Sequence, residues 1–554
     1  MSEADITLHT AGIIPSSYDD RDIGRVIFYD FAGDREYYSS HSAIVERISQ
    51  SQKGSDIFFL VINLTKDVTV LHKELGYWLS FISYSKHNVN NECIIMVVVI
   101  CSHVDLMTQA DVQSKLLSLK QFSTKYSQQC KDFMKISEIV PMNCCQPRSS
   151  RNVKEIMRSI TKRASPCSLS FEAVLLHGML EKDFGTVVAC KFQDLLSHII
   201  ITGIRLPVVA SEVYPIAREL HNVGLLMIIG RSEDQIEDYL LLMDVPALTN
   251  EVHQKLFSQS ATQKFSSVTS PQYVKIGVLP ESCLHDILPD HITKECLVKL
   301  QYCQEFSQAE VGLDYSVTQD DASSNLLLYF PALCHLDSEQ SNWPPDPDLD
   351  FSVGWYARCT GEFDYFPHRY LHVLLLRLTF MFALPTATSQ MSDLELSIST
   401  QNCHCTMWKN GIHWLMSEGI ECIVKVVSES RGVVTVVKSR KKHTYQCVHM
   451  LTQIVNIITE AKTEFCYSVS LQCHIMNSSD LTSYSNEDKL YEFSMIESAI
   501  RNRDETVISV SGHQTLDLEK LSCIKCHLYW GKSSMKFKRV HWCHTNIPID
   551  FRQP

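Results

Sequence analysis

Three short, mainly apolar runs constrain the fold of this chain most: 25–31 (RVIFYDF), 57–64 (IFFLVINL) and 94–101 (IIMVVVIC). They have strand length, and near-continuous apolarity marks strands buried on both faces. The intervals between them leave room for crossover helices, so the expected arrangement is a parallel sheet covered by helices. The first run ends in Asp30-Phe31-Ala32-Gly33, and the third leads directly into Ser102-His103-Val104-Asp105. Carboxylates at the carboxyl ends of parallel strands are where such sheets present ligands to a nucleotide and its metal ion.

The rest of the composition narrows the class. Lys and Arg number 50 against 63 Asp and Glu, a net charge of 50 − 63 = −13, which gives no basic footprint for nucleic acid or a membrane surface. The 21 cysteines follow no spacing framework and suit reduced thiols better than disulfides. The opening MSEADITLHT has neither a positive n-region nor an apolar h-region. The most apolar window, 370–384, is short and carries His372 and Arg377, so it reads as a buried helix. A cytoplasmic protein with no transmembrane segment and no nucleic-acid partner is expected.

Patterning divides the chain into segments. Up to about 165, buried strands alternate with amphipathic stretches at 108–127 and 150–163. Helical periods follow at 171–181, 209–223, 283–289 and 293–305, with strand-like pieces at 225–229 and 326–331. Beyond the proline-acidic stretch 335–350 the pattern is α+β: a long helix at 367–384, alternating patches at 421–426 and 433–437, and a helix at 446–461. The remainder, 476–554, opens on a polar linker and is dotted with Cys and His. No internal repeat or low-complexity tract is visible.

Within the first segment, Asp30 stands where a carboxylate reaches a magnesium ion through water, and Gly33 where a backbone N–H meets a terminal phosphate. Asp105 is placed to accept two hydrogen bonds from a guanine ring. Thr10, in Thr10-Ala11-Gly12-Ile13, is placed as a metal-ligating switch residue. By spacing alone, the same carboxylates serve equally well as strand-end or helix-capping groups.

Taken together, Thr10-x-Gly12-Ile13, Asp30-Phe31-Ala32-Gly33 and Ser102-His103-x-Asp105 resemble the Roc domain, the Ras-like GTPase module of ROCO proteins. Residues 139–156 look like that domain's last strand and final helix, with Asn143 to Cys145 near the base. Downstream, 169–184, 216–229, 351–385 and 407–426 resemble the COR domain that follows Roc and mediates dimerisation. The resemblance implies a truncated Ras-like P-loop domain with a mostly parallel sheet over 1–165, then an α+β COR domain. Its winged-helix-like first half would occupy 166–320 and its α+β second half 321–475, leaving 476–554 as an extension. It implies GTP or GDP with Mg2+, nucleotide contacts from Thr10, Asp30, Gly33, His103 and Asp105, metal contacts from Thr10 and Asp30, a homodimer formed through COR, and a role in signal transduction.

Two departures bear on activity. No GxxxxGKS/T loop, whose N–H groups and lysine neutralise phosphate charge, precedes Thr10; Gly531-Lys532-Ser533 has Cys526 at the first glycine position. A Ras-like sheet lacking its first strand is expected to carry an unpaired gap between 25–31 and 94–101. Asp34 stands where the family usually has a glutamine that orients water, and an anion there opposes phosphoryl transfer. The alternative is therefore a pseudo-GTPase scaffold that binds no nucleotide. Cys523, Cys526, Cys543 and His544 have ligand types for zinc, though one CxxC with a distant pair is a loose pattern. The leucine-rich face of 371–384 is a candidate dimer core, and 438–443 (KSRKKH) reads as a solvated turn.

Overall fold

The computed structural model describes residues 13–20, 24–31, 57–84, 95–129 and 134–161, and, with short breaks, 169–257, 277–307, 326–334, 351–383 and 404–517. The first element is an antiparallel hairpin, β1 (Ile13–Asp20) with β2 (Gly24–Phe31), in unbroken register from Ile13↔Phe31 to Asp20↔Gly24. A parallel sheet follows, β3 (Ile57–Asn63), β4 (Ile95–Ser102) and β5 (Met134–Pro141), with β4 central. Helices α1 (Val68–Tyr84) and α2 (Gln109–Gln129) cover one face around Ile62, Leu71, Leu75, Val97, Val99 and Leu119. Helix α3 (Pro147–Thr161) covers Val98 and Ile100 on the other face through Val153 and Ile156.

This corrects two expectations. The run 25–31 pairs antiparallel with 13–20 and lies outside the parallel sheet. Nor does a gap border 94–101, because β4 is paired on both sides, by β3 and β5. Among the described residues β3 and β5 are the two edges of this sheet, and on β3 Val61 is 64% exposed.

The next unit places helices α4 (Phe171–Asp183), α5 (Phe192–Thr202) and α6 (Ala210–Asn222) against a small antiparallel sheet. That sheet comprises β6 (Ala189–Lys191), β7 (Met227–Ile229) and β8 (Leu240–Leu242) in the order β6-β8-β7. Period-two alternation explains the three successive buried leucines of β8. Leu241 faces the helices, while Leu240 and Leu242 face a second core. That second core is closed by β9 (Val278–Pro280), α7 (Ser282–Ile287), α8 (Lys294–Lys299) and β11 (Leu326–Tyr329), with β10 (Gln304–Ser307) paired to β11. β11 alternates too: Leu328 points into this core, Leu327 and Tyr329 into the next.

The largest sheet is antiparallel and seven-stranded. It contains β12 (Phe351–Cys359), β13 (His404–Trp408), β14 (Gly411–Met416), β15 (Ile420–Val427), β16 (Gly432–Ser439), β17 (Leu471–Met476) and β18 (Leu490–Glu492). Helices α9 (His368–Ala383) and α10 (Thr444–Phe465) pack on one face. The leucine-rich face of α9 is buried here: Leu371, Leu374, Leu375 and Leu378 lie in the chain's own core, so that face is not available to a second copy. Lys438 and Ser439 are likewise buried in β16 instead of forming a solvated turn. Among the described residues no helix is long and apolar enough to cross a membrane.

A buried tyrosine cluster joins the parallel-sheet unit to this last sheet. The Tyr84 hydroxyl at the end of α1 donates to Asp364 Oδ1 at 3.3 Å and accepts the Tyr365 N–H at 3.0 Å. Tyr365 in turn donates to the Tyr77 carbonyl at 3.0 Å and stacks on the Tyr77 ring, centroids 4.8 Å apart. Lys125 of α2 pairs with Glu362 beside the cluster. Burial raises both the Tyr84 and Tyr365 phenols well above their usual range, so both remain protonated donors. Burial also raises the Asp364 carboxyl, opposed by the hydrogen bonds it accepts. A carboxyl raised on folding favours the fold while protonated, and that contribution is lost as pH rises through its folded-state value.

Two outcomes follow from this packing. Tyr84→Phe leaves the Tyr365 N–H without this acceptor and removes one of the hydrogen bonds to Asp364, which keeps that from the Ser470 N–H, and is expected to lower stability by about 1–3 kcal/mol in urea unfolding. Leu374→Ala is expected to cost about 2–5 kcal/mol without changing the mass measured by light scattering; a change in oligomer at unchanged stability would restore α9 as a dimer face.

Candidate functional site at the carboxyl ends of the parallel strands

All three parallel strands end at the same side of the sheet, with Asn63 and Ser102 in register. Each strand end is followed by a tight turn. After β3, Asn63 Oδ1 accepts from the Thr65 N–H at 3.0 Å and its hydroxyl at 2.8 Å. After β5, Asn143 Oδ1 accepts from the Cys145 N–H at 3.0 Å. Asparagine suits both positions because its side chain imitates a backbone acceptor.

The turn after β4 is built differently. His103 adopts φ 60° and ψ 30°, the left-handed conformation, and leads a single helical turn over Val104–Leu106. Such a backbone costs about 1–2 kcal/mol for a residue with a Cβ. Its effect is to turn the chain sharply, leaving His103 and Asp105 exposed while Val104 and Met107 pack against the sheet core. Backbone strain of this kind concentrates at functional positions. Ser102, just before it, is buried and donates from Oγ to the Ile62 carbonyl at 3.1 Å, tying β4 to β3.

Lys115, on α2, fixes the neighbouring loop. Its ammonium donates to the carbonyls of Leu64, Thr65 and Lys66 at 3.0, 3.3 and 2.7 Å. All three of its donors are used on one loop, so it acts as a local scaffold and not as a free cation for a ligand. Neither Asn63 nor Lys115 stood out in the sequence. The Asn ending an apolar run was a legible turn signal, whereas a lysine within an amphipathic helix carries none.

Asp30 is exposed at the end of β2, and the adjacent Phe31 packs against the same core as Val104 and Met107. The two acidic motifs therefore border one core from different strands. Thr10, Gly33, Asp34 and the four zinc candidates Cys523, Cys526, Cys543 and His544 lie outside the described residues. Among the described residues no group of three or more His, Cys, Asp or Glu side chains is placed to hold a metal ion. The exposed carboxylate of Asp105 is placed to accept hydrogen bonds from solvent or a ligand beyond the central strand.

No family model matches the sequence, and no curated protein matches it significantly. Among solved structures, the chain is similar to Methanosarcina barkeri Roco2 RocCORdC bound to GDP. The identity is 14%, with 58% of this chain and 85% of that chain covered, at a TM-score of 0.35. So low a score leaves the architecture resting on the strand registers described above.

Because His103 is strained, His103→Gly is expected to leave stability unchanged or raise it by up to about 1 kcal/mol in chemical unfolding. A loss larger than that would mean the imidazole makes stabilising contacts that outweigh the strain.

Proposed function

We propose that the chain is a ROCO-type Roc–COR regulatory module that binds guanine nucleotides at the carboxyl ends of its parallel strands. The observation that supports this most is the strained turn at His103, which exposes Asp105 immediately beyond the central strand. An exposed carboxylate there accepts two donors from a guanine edge, and an adenine offers no matching pair. On this reading His103 borders the base, and Thr10, Asp30 and Gly33 face the phosphates and their Mg2+. A bound magnesium ion would supply charge neutralisation at those phosphates.

The output would be a change in the contacts of residues 166–475, read as COR, and homodimerisation through surfaces other than the buried face of α9. Asp34, anionic where the resemblance places a water-orienting glutamine, favours slow or absent hydrolysis. The second reading, a scaffold that binds no nucleotide, draws on the lack of a GxxxxGKS/T motif in the sequence together with Asp34.

Titration of the full chain with fluorescent GDP and GTP analogues in magnesium buffer tests the proposal, with light scattering on the same sample for dimerisation. Saturable binding displaced by GTP but not ATP is expected. Asp105→Asn should weaken it by about 10-fold or more, the worth of hydrogen bonds to a charged acceptor. A folded, monodisperse chain that binds neither analogue would leave the scaffold reading standing.

A further inference from the structure

Phe31 packs against two separate cores. On one side lies the core of the parallel sheet, with Ile62, Leu64 and Leu71; on the other lies the core closed by Leu240, Leu279, Leu297 and Leu328. Tyr29, two residues earlier on the same face of β2, packs against the second core as well. Asp30 lies between them on the opposite face and is exposed. A strand end is thus lodged between two apolar bodies while the residue between its anchors faces solvent.

The hairpin that carries Phe31 is suited to act as a unit. Its register runs without a break from Ile13↔Phe31 to Asp20↔Gly24, so one strand does not shift without the other. The parallel-sheet unit has a second attachment elsewhere, where Tyr77 and Tyr84 of α1 meet Tyr365. With α1 held at that joint, a displacement of the hairpin end would bear on the contacts of Phe31, the strand residue packed against both cores. Cores packed at crystal-like density do not deform smoothly, so a displaced ring moves its neighbours.

We propose that Phe31 is a positioning residue that passes displacement at the end of β2 from the parallel-sheet core to the core spanning residues 227–333. The proposal rests on the nucleotide reading only for the source of that displacement, since Asp30, next to Phe31 in the sequence, is suggested to face the phosphates.

Hydrogen exchange of the full chain, comparing wild type with Phe31→Ala and Phe31→Leu, tests the contact without any ligand. Phe31→Ala should speed exchange about 5-fold or more both in 57–79 and in 240–303, with 420–439 unchanged. Phe31→Leu should show the same two-core pattern at smaller amplitude, and it decides the matter if the alanine variant unfolds throughout. Loosening of one core alone would overturn the proposal.

The same measurement on wild type with GDP and magnesium separates it from the function proposed above. Protection near 102–107 together with altered exchange in 240–303, the latter lost in Phe31→Leu, is the expected result. Protection near 102–107 with 240–303 unmoved would keep the nucleotide site and overturn the coupling. No response anywhere would remove the nucleotide reading and the coupled displacement with it, leaving the two-core packing to be decided by the ligand-free comparison.

Discussion

The arrangement of the chain depends on one buried hydroxyl. Tyr84 lies between Asp364 and the Tyr365 N–H, at the end of a helix that belongs to the parallel-sheet unit. Its desolvation is offset by these two hydrogen bonds, and Asp364 is further satisfied by the Ser470 N–H. With this joint fixed, three cores form a closed circuit. The parallel sheet meets the seven-stranded sheet at the tyrosines, that sheet meets the middle core across β11, and the middle core meets the parallel sheet again at Phe31. Each joint couples the two cores that share it, while contacts with no shared partner contribute separately.

The strand ends follow a common rule by different means. Asn63 and Asn143 close their turns with a side-chain oxygen, whereas His103 closes its turn with a left-handed backbone. The first two devices leave the side chain occupied. The third leaves both His103 and Asp105 exposed, so the loop of the central strand presents chemistry while its neighbours provide rigidity. Lys115 adds to that rigidity from below, holding three consecutive carbonyls of the β3 loop.

Sequence reasoning located what apolar periodicity controls. The runs at 57–64 and 94–101, the amphipathic stretch at 108–127 and the helices at 367–384 and 446–461 correspond to β3, β4, α2, α9 and α10. It misplaced what depends on pairing: a run such as 25–31 looks equally apolar in a hairpin or a parallel sheet, and only its partner distinguishes them. The helical period at 293–305 failed for a local reason. The chain leaves the helix at Gln301, φ 57°, where Tyr302 N–H reaches the Leu297 carbonyl and Gln301 N–H that of Val298. That is a Schellman ending, and its usual sequence mark is a glycine, where this helix has Gln301. In the site, Asp30 and Asp105 were legible as strand-end acids, but the twist that exposes Asp105 was not, because histidine at φ 60° has no sequence signature.

The circuit also sets a condition on any ligand that acts as a switch. Asp105 follows the central strand of the sheet whose helix α1 is held at the tyrosine joint, whereas Asp30 rides on the hairpin that abuts the middle core. A ligand shifts an equilibrium only by binding one arrangement better than the other. One held by Asp105 alone contacts the anchored body in both arrangements and shifts nothing, however tightly it binds. One that spans Asp105 and the end of β2 is strained when the hairpin moves, and relieves that strain by holding Phe31 in place. For such a ligand tight binding and switching would be separable, and the second would require contacts on both bodies.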